Sequence, residues 1–136
     1  MTKDVLITIV GNQQQENEIS LMTQGSYYLK DGKHYVFYEE QADEESEVIK
    51  NRLCFDESSF EMAKKGGINS IMTFDPEHIT LTTYLTPYGP FQLEIVTNHY
   101  ELRDMEDTME MDIYYALGFG DRDSSDCHVY VKVEAR

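Results

Sequence analysis

Along most of this chain apolar and polar side chains alternate one by one. From Met109 to Leu117 the odd positions read Met109, Met111, Ile113, Tyr115 and Leu117, against Glu110, Asp112, Tyr114 and Ala116 between them. From Cys127 to Ala135 the odd positions read Cys127, Val129, Val131, Val133 and Ala135, against His128, Tyr130, Lys132 and Glu134. A period of two sends successive residues to opposite faces of a pleated strand, whereas a helix with this pattern would scatter its apolar residues around the axis. The same rhythm recurs in Ile79, Leu81, Thr83 and Leu85, and in Phe91, Leu93, Ile95, Thr97 and His99. β-branched and aromatic residues fill these runs, as pleated, half-buried surfaces favour.

Turn residues separate the runs. Asp31-Gly32 lies between Tyr27-Tyr28-Leu29-Lys30 and Lys33-His34-Tyr35-Val36, the spacing of a two-residue hairpin whose type I′ turn needs positive φ at both central positions. Gly66-Gly67, Asp75-Pro76 and Pro87-Tyr88-Gly89-Pro90 mark later turns. Ten strands are expected, at about 4–10, 18–30, 33–40, 47–56, 59–65, 68–74, 78–86, 91–103, 108–118 and 127–135. The fifth competes with a short helix, because Ser58-Ser59-Phe60-Glu61 fits a capping box and Lys64-Lys65-Gly66 fits a helix end; the strand is the preferred reading. Short connections favour sequential neighbours over Greek-key crossings. Closure removes exposed sheet edges. The expectation is therefore one all-β domain over residues 1–136, a single antiparallel up-and-down barrel of about 8–10 strands, the size at which lipocalins hold one small ligand.

Charge narrows the partners. Twenty-six acidic residues against eleven basic ones leave a net charge of −15. Nucleic-acid phosphates call for clustered Lys and Arg, and anionic membranes repel such a chain, so neither is an expected partner. Ten Tyr and six Phe argue for a folded core despite the charge. The acidic run from Glu39 to Glu47 reads as a solvated loop. Cys54 and Cys127 form no CxxC pair, and Met1 to Asp4 lead straight into Val5-Leu6-Ile7 rather than a signal peptide. A reducing, cytoplasmic setting is the expectation.

Phosphate-binding glycine loops and nucleophile elbows of the recognisable kinds are absent, and no cofactor is expected. His34, His78, His99 and His128 are scattered, and no metal site is expected. Asp121 to Asp126 resembles a calcium loop but has Asp126 where the turn glycine belongs and Lys132 where the bidentate Glu belongs. Glu39 and Glu40 point to opposite faces of a strand, so one of them can face the interior. Lys50, Arg52 and Cys54 share a face, where two cations can meet an anion or pair with neighbouring acids. Pro87 and Gly89 make a rigid turn that holds Tyr84 and Tyr88, whose apolar bodies and polar tips suit the mouth of a ligand site.

Gly25-Ser26-Tyr27, Tyr35 to Glu40, Lys65-Gly66-Gly67, Ser70 to Phe74 and Tyr84-Leu85-Thr86-Pro87-Tyr88-Gly89, with Thr97 beyond it, carry a family likeness over nearly the whole chain. The chain resembles the YwiB-like family of uncharacterised bacterial calycin-like β-barrel proteins. That resemblance implies a lipocalin-like or avidin-like barrel and carries no activity, cofactor or site residue with it. The expected function is small-ligand binding without catalysis, in or at the mouth of the barrel, with Tyr38, Glu40, Arg52, Tyr84 and Tyr88 as candidate ligand residues. The alternative is a protein-interaction or homodimeric scaffold. Catalysis by an interior carboxyl or tyrosine has the least support, since a fold alone does not license activity.

Overall fold

A computed structural model describes residues 3–13, 16–41, 43–66, 69–86, 88–118 and 125–136, without the side chains of 13, 16–19, 84–86 and 91. All its regular elements are strands: β1 (Asp4–Gln13), β2 (Glu16–Lys30), β3 (Lys33–Glu40), β4 (Ile49–Phe55), β5 (Phe60–Lys65), β6 (Ser70–Phe74), β7 (Thr80–Thr86), β8 (Gly89–Asp104), β9 (Thr108–Gly118) and β10 (Ser125–Ala135). They form one antiparallel sheet in the order β6-β5-β4-β3-β2-β1-β10-β9-β8-β7. Each expected strand is present. Among the described residues no helix is long and apolar enough to cross a membrane.

Local chemistry accounts for the turns. Asp31 and Gly32 have φ of 52° and 79°, the positive pair that a type I′ hairpin demands. Ser58 and Ser59 do not cap a helix. Their amides donate to Asp56 Oδ1 at 2.9 and 3.1 Å, so the aspartate closes a turn and releases Phe60 into a strand. Asp43 and Asp75 accept from amides two residues on in the same way.

Sheet order makes a meander joined end to end. Val5 pairs with Ala135 and Gln13 with Cys127, so the first and last strands are neighbours. The open edges, β6 and β7, then meet. No ladder joins them among the described residues, and one isolated bridge, Asp75 to His78, lies in the turn between them. Threonine hydroxyls close the gap: Thr80 Oγ1 donates to Thr73 O at 2.5 Å and Thr82 Oγ1 to Ile71 O at 2.8 Å. The barrel is nearly closed, with a seam stitched by side chains where backbone pairing lapses.

Inward rows carry the core. Val5, Ile7, Val36, Ile95, Met111, Ile113, Val131 and Val133 are wholly buried. One end of the barrel is plugged by rings. His34 stacks on Phe55 at 5.1 Å, Phe55 on Phe60 at 5.4 Å, and Phe74 meets Tyr115 edge-on at 4.7 Å. Tyr100 packs on Phe60 and donates its hydroxyl to Asp56 O at 2.7 Å, tying the plug to the β4–β5 turn. Such pairs add to the stabilisation that area burial alone supplies.

At Gly25 there is no room for a side chain. A Cβ there would sit 2.4 Å from Phe37 O and 2.6 Å from Ile7 Cδ1. The obstructing carbonyl belongs to a strand and cannot swing aside. Gly25→Ala is therefore expected to lower the unfolding free energy by about 1–3 kcal/mol, read as an earlier midpoint in urea.

Candidate functional site

The inward face changes character along the barrel. On β3 it runs His34, Val36, Tyr38, Glu40; on β4, Phe55, Leu53, Asn51, Ile49; on β5, Phe60, Met62, Lys64. Rings and aliphatic groups fill one end, and polar groups replace them at the other. Register aligns these polar groups in one cross-strand row, Tyr38 opposite Asn51, Asn51 opposite Lys64, Lys64 opposite Ser70.

Asn51 is the centre of that row. It is 3% exposed, so its amide must find partners inside the protein. Its Nδ2 donates to Glu40 Oε1 at 2.9 Å, and its Oδ1 accepts from Lys64 Nζ at 2.8 Å. Lys64 Nζ also donates to Glu40 Oε1 at 2.7 Å. Amide, ammonium and carboxylate thus form a closed triangle with Glu40 and Lys64 partly open to solvent. Beside it, burial pushes the Tyr38 phenol up, and the Glu40 charge adds to the shift. Tyr38 stays a protonated donor at neutral pH.

The outward rows of the same strands differ. Phe37, Arg52, Ala63 and Ile71 lie opposite one another across β3, β4, β5 and β6. An open pocket of about 750 Å³ runs along this wall and over the seam to Leu81, with Lys50, Lys65, Asn51, Lys64 and Thr82 also lining it. A second hollow of about 500 Å³ adjoins it at Phe37, Lys50 and Asn51 and reaches Gly25. It opens where β2 and β3 part, since their ladder ends at Ser26 and Phe37.

Of the expected site residues, Tyr38 and Glu40 come together on the inward face. Arg52 takes the outward face, lines the large pocket and pairs with Glu61 Oε1 at 2.5 Å. Tyr88 is 93% exposed on the β7–β8 turn. Tyr84 keeps a described backbone, opposite Phe91, but its side chain falls outside the described residues. So do Pro87 and the acidic stretch 121–124. Asn51 and Lys64 escaped the sequence reading. Their alternation with Leu53 and Met62 was a usable signal for facing inward, but their meeting depends on register.

A separate polar cluster occupies the outward wall of β8, β9 and β10. Arg103 Nη2 donates to Asp112 Oδ2 at 2.6 Å, and His128 Nε2 lies 2.8 Å from Asp112 Oδ1. The His128 ring stacks on Tyr114 at 4.2 Å. Burial pushes the Asp112 carboxyl up, but hydrogen bonds from His128 and Arg103 and the guanidinium charge outweigh it, holding the carboxyl below its ordinary value of 3.8. Among the described residues no three His, Cys, Asp or Glu side chains are grouped to hold a metal ion. Cys54 and Cys127 are both free thiols, and burial pushes that of Cys127 up.

A family model described as a domain of unknown function (DUF1934) matches residues 6–131. The crystal structure of the ywiB protein from Bacillus subtilis matches with a TM-score of 0.77, over 98% of this chain and 90% of that one, at 19% identity. At that identity the likeness speaks for the fold alone. No curated protein matches the chain.

The Asp112 cluster has a pH signature. A carboxyl held below its ordinary value of 3.8 contributes stability above that pH and loses it as pH falls through its folded-state value. Asp112→Asn is expected to cost about 1–2 kcal/mol at pH 7. Its urea midpoint should also fall less steeply than that of the parent protein below about pH 4.

Proposed function

The chain belongs to the DUF1934 family, a domain of unknown function, and we propose that its barrel binds a small ligand at the rim, in the pocket beside Asn51 and Lys64. One observation carries the reading. A pocket of about 750 Å³ joins apolar wall residues to a set of fixed polar groups, and small-molecule sites combine those features within about 300–1,000 Å³. The aromatic plug supports the rim over the deep lumen, because Phe55, Phe60 and Phe74 already fill the far end. The Glu40–Asn51–Lys64 triangle supports a preformed site, since its members hold one another in place and no ordering entropy is spent on binding.

Exposed Phe37, Ile71 and Leu81 on the same wall favour a second reading, a face that meets another copy of the chain. Light scattering on a size-exclusion column separates the two, because a monomer at high concentration ends the dimer reading.

N-phenyl-1-naphthylamine, a neutral dye that brightens in apolar surroundings, tests the pocket directly. Saturable one-to-one enhancement is expected. Ala63→Trp, which fills the pocket from an outward position, should abolish it while leaving the circular dichroism unchanged. Native protein that gives no enhancement, or an Ala63→Trp variant that binds as well as the parent, overturns the proposal.

A further inference from the structure

We infer that the ligand of this pocket is a soluble amphiphilic anion, with an acidic head held between Lys50 and Lys65 and an apolar body laid over Phe37, Ile71 and Leu81; the inference rests on the pocket reading above. The distribution of charge is the first ground. The chain carries eleven basic residues against twenty-six acidic ones. Four of those eleven, Lys50, Arg52, Lys64 and Lys65, line this one pocket, and no Asp or Glu is among its lining residues. A cationic hollow in so acidic a protein is a local inversion of the field, and an anion crossing the surface is attracted there and repelled elsewhere.

Pairing within the pocket is the second ground. Lys64 is held by Glu40 and Arg52 by Glu61. Lys50 and Lys65 are directly opposite in the β4–β5 register, both are exposed, and neither makes an ion pair among the described residues. Glu39 faces Lys50 from β3 in register, without an ion pair to it. Like charges directly opposite on a sheet repel. Residues directly opposite on antiparallel strands have Cβ atoms about 4.5–5.5 Å apart, a spacing from which one carboxylate, sulfonate or phosphate can accept from both ammonium groups. Arg52 lines the same pocket with a partly exposed side chain whose Nη2 is engaged by Glu61.

The wall supplies the apolar half. Phe37 is 42%, Ile71 56% and Leu81 59% exposed. They belong to β3, β6 and β7, so a body lying over them crosses the seam that Thr80 and Thr82 hold. A bilayer of anionic lipid does not fit, because the rest of a surface with net charge −15 would be pressed against it.

Two matched dyes test the inference. 8-Anilinonaphthalene-1-sulfonate is N-phenyl-1-naphthylamine with one added sulfonate. The anionic dye is expected to bind about tenfold more tightly than the neutral one. Lys50→Gln with Lys65→Gln, two exposed changes, should remove most of that advantage and leave the neutral dye unaffected. Lys132→Gln, on the opposite wall, should change neither. Equal affinity of the two dyes for the parent protein overturns the anionic class while keeping the pocket. An advantage that survives the double substitution overturns the lysine pair as its source. Failure of both dyes to bind removes the pocket reading itself.

Discussion

The ladder between the first and last strands is the interaction on which the architecture depends. It joins β1 to β10 from Val5 and Ala135 to Gln13 and Cys127. Without it the chain would be two meanders, β1 to β6 and β7 to β10, each with an apolar face open to water. With it the sheet is continuous, and Val5 and Ile7 share a core with Val129, Val131 and Val133. The twist of a sheet this wide then curls its free edges toward each other. The two edges arrive out of position for a ladder, so β6 carbonyls are satisfied by β7 hydroxyls instead. Buried backbone acceptors need partners of some kind, and threonines at alternate positions of an edge strand supply them without adding a strand.

Closure also sets where chemistry can reside. The inward rows converge, and one end received Phe55, Phe60, Phe74, Tyr100 and Tyr115, with the three phenylalanines almost wholly buried. The other end received Tyr38, Asn51, Lys64 and Ser70, whose hydrogen-bonding capacity calls for partners or solvent. The same four strands expose Phe37, Ile71, Lys50 and Lys65 on their outer side. Polar anchor, apolar wall and positive field therefore meet along one edge of the barrel, beside the seam where backbone pairing is weakest.

Much of this was legible residue by residue. Glu39 and Glu40 had to face opposite ways, and Glu40 does turn inward. Lys50, Arg52 and Cys54 had to share a face, and that face is the outer one. The Asp31-Gly32 turn followed from stereochemistry alone. The turn that carries Tyr88 is distinctive in composition and leaves that residue largely exposed, whereas Asn51, which no motif marks, holds the centre of a buried network.

Alternation, turn residues and chain length by themselves determined strands, their approximate ends and the alternation of side chains along each unbroken run, because each depends on covalent geometry within a few residues; the bulge after Thr97 interrupts that rhythm, leaving His99 exposed and turning Tyr100 and Leu102 to the core. Tertiary structure alone decided which parities met. Register brought Asn51 to Glu40 and Lys64, curvature put the open seam between β6 and β7, and packing placed rings at one end and lysines at the other. These outcomes depend on residues far apart in the chain, whose relative positions are set by the free energy of the whole core rather than by any local preference.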